Sequence, residues 1–330
     1  LGLELANPLV ASAGPLTGTV DSIRRLEENG IAAIVFPSLF EEQIEHEEME
    51  IQRLYEYQTD AFAEALSFFP EMNSYNTGPD AYLEKVREAK AALSIPVIAS
   101  LNGTTQGGWT KFARQIQDAG ADALELNVYF VPTDVEASPL EVEVRYTELV
   151  KSVRDTVSIP LAVKIGPFFN SIPYMAKRLQ EAGADGIVLF NRYLEPDIDI
   201  DSLSIEPRLV LSDPRELYLP LRWIAILKGH ITSSLAATSG VHECPDVIKA
   251  LLAGADVAMM ASVLLKRGPS HVSSVLSQLH DWMSEHEYSS VNQMKGSMSR
   301  ENCPDPSSLE RANYTQALVS YTDKYLAGPA

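Results

Sequence analysis

The sequence predicts an α/β protein of the (β/α)8, or TIM barrel, class, with long βα insertions and a C-terminal helical appendage. Three observations carry this. A phrase of Gly, a small or acidic residue and a short β-rich run recurs four times, at 30–36, 120–127, 183–191 and 254–261. A helix closing on glycine with a strand opening behind it reads this way. A second kind of strand, entered through Ile-Pro, stands at 94–100 and 158–164, with proline at the first strand position, where its missing N–H is tolerated. Helical patterns alternate strictly with these apolar strands, which argues for a parallel sheet covered on its outside, and eight units point to closure rather than to an open doubly wound sheet.

Taken in order, strands are expected at 9–14, 30–36, 94–100, 120–127, 158–164, 183–191, 234–240 and 254–261. Helices follow at about 20–30, 79–93, 110–119, 139–157, 171–182, 215–228, 243–253 and 269–286, where apolar residues recur at three- and four-residue spacing. The spacing of the repeated phrase is irregular, so it marks barrel units with unequal insertions and not a solenoid of fixed period. The long insertions, 38–78 and 192–214, follow strands two and six. That places them as lids on the C-terminal face, where barrel active sites are built. The barrel is expected to occupy 1–286. Residues 287–330, with Pro304 and Pro306 ahead of a helical stretch near 309–325, read as an appendage packed on the barrel, not as an independent domain.

Composition narrows the function classes. A chain of 330 residues with 45% apolar content buries one large core. A formal charge of −19 without a basic stripe opposes binding to nucleic acid or to an anionic membrane surface. The charge run from Glu41 to Glu50 reads as a solvated helix face. Cys244 and Cys303, with no CxxC spacing, give no cysteine-ligated metal site and suggest a reducing compartment, the cytoplasm. No apolar run approaches the roughly 20 residues that span a bilayer.

The chemistry-bearing residues fall at strand ends. Strand seven ends in Ala236-Ala-Thr-Ser-Gly-Val241 and strand eight in Met259-Met-Ala-Ser-Val-Leu264. Two turns of small residues beside helix N-termini expose backbone N–H groups suited to a phosphate, and strands seven and eight are the habitual phosphate site of this fold. Lys164 ends an otherwise apolar strand five, where an ammonium is costly unless it meets an anion or acceptor. Asn102, Asn127 and Asn191 finish strands three, four and six. Their amides can donate and accept toward a heteroaromatic ring, and closure of the barrel would gather all of them round one pocket. His242, alone near this mouth, reads as a surface or capping residue.

These residues carry a resemblance. Ala6-Asn-Pro-Leu-Val-Ala-Ser-Ala-Gly14, Glu125-Leu-Asn127, Pro160-Leu-Ala-Val-Lys164 and Ala237-Thr-Ser-Gly-Val241 look like the dihydroorotate dehydrogenase family, through most of the barrel. The resemblance implies an FMN-dependent oxidoreductase of pyrimidine biosynthesis, moving hydride between dihydroorotate or a related small cyclic amide or acid and the flavin N5. It implies that Ala13, Gly14, Ser38, Asn102, Asn127, Lys164 and Asn191 contact flavin or substrate. Ser239, Gly240, Ala261 and Ser262 would hold the FMN phosphate, and Lys164 would stabilise negative charge on the flavin N1–C2 edge. Asn73, opening Asn73-Ser-Tyr-Asn-Thr-Gly-Pro79, would join Asn127 and Asn191 on the substrate, with Lys164 and Asn127 as the catalytic pair. A homodimer is the assembly common among soluble relatives.

The chain departs from the family pattern in three places. Tyr-Asn-Thr replaces the usual Met-Gly-Leu inside the substrate loop. Pro37 stands where a lysine is expected before Ser38, and Phe130 stands where a Cys or Ser general base is expected three residues beyond Asn127. A phenyl ring takes no proton from a substrate carbon. Tyr129 and Thr133 are the nearby groups that could replace it. A second reading therefore stands beside the enzyme: a barrel that binds FMN or a phosphorylated metabolite without dihydroorotate dehydrogenase activity.

Overall fold

A computed structural model describes residues 1–44, 78–105, 107, 110–206 and 208–325. Eight strands, β1 (Leu9–Ala11), β2 (Ala33–Val35), β3 (Val97–Asn102), β4 (Ala123–Asn127), β5 (Leu161–Ile165), β6 (Gly186–Leu189), β7 (Ser234–Ala237) and β8 (Val257–Met260), pair in parallel, each with its sequence neighbour. The sheet closes where β8 pairs with β1, Met259 opposite Val10. This is the (β/α)8 barrel that the alternation predicts. Among the described residues the strands are followed by the helices α1 (Val20–Glu28), α2 (Pro79–Ala92), α3 (Lys111–Asp118), α4 (Pro139–Thr156), α5 (Ile172–Glu181), α6 (Tyr218–Leu227), α7 (Cys244–Ala253), α8 (Ser262–Arg267) and α9 (His271–Glu285). The sequence pattern missed α8, a short helix packed directly behind the β8 turn, because its six residues are too few for a period to show.

Side-chain alternation sorts the core into two shells. Val10, Val35, Ile98, Ala162, Val188 and Met259 point into the barrel. Leu9, Ile34, Leu124, Val163, Leu189 and Met260 face the helix ring.

The repeated phrase has a physical cause. At Gly183 (φ +106) the chain turns out of α5 through a left-handed conformation, and the Asp two residues on reaches back to the preceding strand. Asp185 Oδ2 accepts from the Leu161 N–H at 2.8 Å and from Arg154 Nη1 at 3.0 Å. Asp122 does the same for the Val97 N–H at 2.7 Å, with Lys90, and Asp256 for the Leu235 N–H at 2.8 Å, with Lys295. Each carboxylate thus ties the start of an odd strand to the even strand beside it. The first phrase lacks the Asp, and there Asn7 caps β1 instead, accepting from the Leu9 N–H and donating to the Gly30 carbonyl.

The insertions differ from a plain lid. After β2, Leu39–Phe40 pairs with β3, and Glu41, expected on a solvated face, is 5% exposed. Its carboxylate accepts from the backbone N–H of Thr104 at 2.7 Å and of Thr105 at 3.3 Å, joining the loops after β2 and β3. Residues 45–77, with Asn73, lie outside the described residues. The insertion after β6 carries a two-stranded hairpin, Asp197–Asp199 with Ser204–Glu206. Past α9, the backbone N–H groups of Gly296 and Met298 donate to the carbonyls of Leu251 and Leu252, and Met294 is fully buried. Among the described residues no helix is long and apolar enough to cross a membrane.

Candidate active site

A cavity of about 520 Å³ opens at the C-terminal mouth of the barrel, inside the size range of small-molecule sites. The β1 loop gives it Ala13 and Gly14, the β2 loop Pro37 and Ser38, and the inner faces Asn127 of β4 and Lys164 of β5. Asn191 follows β6, Ser239 and Gly240 follow β7, and Ala261 and Ser262 follow β8. The barrel register explains the convergence, since Asn102, Asn127 and Lys164 are successive cross-strand partners at one level of the sheet. Asn102 ends that row but does not form part of the cavity wall. A larger cavity, about 660 Å³, lies at the opposite, N-terminal mouth, among mostly apolar side chains such as Leu3, Leu5, Val35 and Met259. Size alone would favour it, but the polar groups that could orient a ligand converge at the C-terminal mouth.

The polar residues of the wall form one chain of contacts. Asn191 Nδ2 donates to Asn127 Oδ1, Asn127 Nδ2 to Ser38 Oγ at 3.4 Å, and Ser38 Oγ shares a hydrogen bond of 2.8 Å with Ser100 Oγ. Lys164, 9% exposed, stands beside them with its Nζ 3.7 Å from Glu125 Oε1. Amide donors and acceptors with one ammonium suit a flat, polar heterocycle.

Opposite lies the small-residue cradle. Ser239 (φ +68) and Gly240 (φ +73) are consecutive left-handed residues, and both line the cavity in a turn whose small side chains leave its backbone uncovered. A Cβ on Gly240 would fall 2.4 Å from the Leu217 backbone N. Only glycine lets the short 3₁₀ turn Pro214–Leu217, which leads into α6, approach so closely.

Sequence reasoning missed two residues here. Ser212, buried in the insertion after β6, lines the cavity; its N–H donates to Ser262 Oγ at 3.0 Å, and its Oγ lies 2.9 Å from His242 Nε2. His242 is therefore no surface residue: it is 6% exposed, with its own N–H on Asp246. Burial, and then the Lys266 ammonium, push its pKa below the ordinary imidazole value. The only local signal was Ser212-Asp-Pro214, a cap ahead of a helical turn.

Phe130 does not face the cavity. Its ring packs among Thr104, Val128, Tyr146 and Leu149, with the Arg145 guanidinium 4.0 Å from the ring centroid. Its carbonyl accepts from Tyr193 OH at 2.9 Å. Tyr129 is held beside Tyr193, ring centroids 4.4 Å apart, and accepts from the Leu194 N–H; Thr133 is exposed. Neither forms part of the cavity wall.

The chain is similar to known proteins over most of its length. The family model described as dihydroorotate dehydrogenase matches residues 1–283. The catalytic subunit of dihydroorotate dehydrogenase B (NAD(+)) from Thermoplasma acidophilum is 26% identical over 305 residues, 89% of this chain and 96% of that protein. The protein of the same name from Pyrococcus abyssi is 26% identical over 307 residues, 89% of this chain and 96% of its own. A putative dihydroorotate dehydrogenase A (fumarate) from Aeropyrum pernix is 25% identical over 209 residues, 62% of this chain and 67% of its own.

Proposed function

Because this chain belongs to the dihydroorotate dehydrogenase family, and is an oxidoreductase of that kind, we propose that it is FMN-dependent and moves hydride between the flavin N5 and dihydroorotate or a related small cyclic amide or acid. The observation that carries the reading is the meeting, in one cavity, of the Ser239–Gly240 and Ala261–Ser262 turns with Lys164 and the Asn127–Asn191 pair. The turns present backbone N–H groups to a phosphate. Lys164 favours negative charge at the flavin N1–C2 edge. Ala13 and Gly14, which leave room for a ring to lie flat, and Ser38 border the flavin, with Asn102 behind them. Asn127 and Asn191 orient the substrate together with Asn73, and Asn127 and Lys164 are the residues nearest the chemistry. In this reading residues 1–286 are the catalytic unit, 287–330 its packed appendage, and the protein is a cytoplasmic homodimer acting on a small molecule.

The second reading is a binder without dihydroorotate chemistry, and the placement of Phe130 favours it. No carboxylate, thiol or imidazole among the described residues lines the cavity where a carbon acid would need a base.

The two are separated by loading the protein with FMN and adding dihydroorotate without oxygen. Loss of the oxidised-flavin band supports dihydroorotate oxidation. A flavin that stays oxidised with dihydroorotate but bleaches with another cyclic amide or acid moves the substrate, and one that ignores all of them leaves the binder. Failure to take up FMN sinks the cofactor.

A further inference from the structure

Glu125 lies in β4 between Leu124 and Leu126, which face the helix ring, so its side chain enters the barrel below Asn127. It is 1% exposed, among the inward-facing Val10, Val35, Ile98 and Met259. Its Oε1 has no hydrogen-bond partner among the described residues, and 3.7 Å away lies the ammonium of Lys164. A buried carboxylate in apolar surroundings is costly unless something compensates it, and this one has a cation for its neighbour. Lys164 belongs to the wall of the catalytic cavity and Glu125 does not. Glu125 can therefore act on a ligand of this cavity only through Lys164.

We propose that Glu125 is a positioning residue that holds Lys164 at the cavity wall and cancels part of its charge, and so sets how strongly this site favours the reduced, anionic flavin. The proposal rests on the FMN reading above. In a low-dielectric interior charges act on one another more strongly than in water. Removing the carboxylate leaves the full lysine charge facing the flavin and shifts the cofactor toward its reduced form.

Glu125→Gln keeps the shape and removes the charge. In FMN-loaded protein equilibrated with a reference dye, the ratio of reduced to oxidised flavin is expected to rise about tenfold in this variant, about 30 mV for a two-electron couple. Glu125→Asp, which keeps the charge, is expected to move it less than threefold. In flavin-free protein the Lys164 amine, freed of its counter-charge, is expected to acylate about tenfold faster at fixed pH, followed by peptide mass spectrometry. A Glu125→Gln protein that binds FMN like the parent and shows neither change overturns the proposal. If the parent takes up no FMN, the function reading falls, and the acylation rate alone decides whether the pair exists. Should Glu125→Gln not fold, Glu125→Gln/Lys164→Gln folds if a stranded lysine was the cause, and stays unfolded if Glu125 merely fills space, which again overturns the proposal.

Discussion

At the scale of single residues, Phe130 shows what the linear chain hides. That a phenyl ring occupies this position is legible; that it turns outward is not, because its direction is set by Arg145 and Tyr146 of α4 across the loop. The outward turn gives a prediction. Phe130→Cys is expected to raise dihydroorotate turnover less than twofold, since the thiol would sit in the helix shell. It is expected to destabilise the fold by roughly 2 kcal/mol, about half the cost of truncating a fully buried phenylalanine. Urea unfolding and a turnover assay check both, and a tenfold gain in turnover would mean that this loop turns inward when substrate binds. Ser212 and His242 were hidden for a related reason, as the closing of the barrel brings an insertion over two turns far from it in sequence. Ser212→Ala, which removes a hydroxyl that lines the cavity and meets His242 Nε2, is expected to weaken FMN binding up to about tenfold, the scale of one hydrogen bond, read by flavin fluorescence. His242 titrates lower in the folded protein than in the unfolded chain, whose imidazole lies at about 6.5. The folded state thus binds fewer protons, and the stability this confers is present above about 6.5 and lost as pH falls through the folded value. The parent is expected to lose more unfolding free energy between pH 7.5 and pH 5 than His242→Gln does; equal losses would mean the imidazole stays accessible.

At the scale of elements, the helices and strands were legible because one device is used repeatedly. The Gly-Ala-Asp phrase marks a turn and a carboxylate that ties two neighbouring strands, and Asp122, Asp185 and Asp256 each accept a backbone N–H from the first or second residue of the preceding odd strand. A pattern that recurs for a physical reason survives irregular spacing. Helix α8 and the Leu39–Phe40 strand leave no such trace, being too short for any period and fixed by what they pack against. The charges of the run from Glu41 to Glu50 predict a solvated face, yet Glu41 is buried because two backbone N–H groups of the β3 loop point at it. The staples are testable as a class. Asp122→Ala strands the Val97 N–H and the Lys90 ammonium in a half-buried place, and is expected to cost about 2 kcal/mol, within the range for leaving a donor unpaired. Asp118→Ala, whose carboxylate pairs with the exposed Arg114 one turn away, is expected to cost less than about 0.5 kcal/mol. Equal losses in urea unfolding would show that the repeated Asp is a surface charge and not a staple.

At the scale of the whole molecule, charge and site pull in different directions. The chain carries a formal −19, while the proposed cofactor, FMN, would arrive as an anion. The cations near the mouth do not reverse that field. Arg192 is held by Glu216 at 2.8 Å, Lys266 Nζ donates to the Ser212 carbonyl, and Lys164 sits against Glu125. Asp213, its pKa lowered to about 2 mainly by its hydrogen bond with Arg215, stays ionised at the same rim. An incoming anion therefore meets a nearly balanced site on a strongly acidic body, and beyond contact distance the body decides. Salt shortens that reach, to about 10 Å at 0.1 M. Association of FMN with the flavin-free protein, followed by stopped-flow fluorescence quenching, is expected to speed up about threefold between 0.01 M and 0.3 M salt. The dissociation rate, governed by short contacts at the cradle, should change much less. A slowing of association with salt would mean that the local field at the mouth is positive after all, which would place the carboxylates of Glu216 and Glu125 too far from Arg192 and Lys164 in solution to neutralise them.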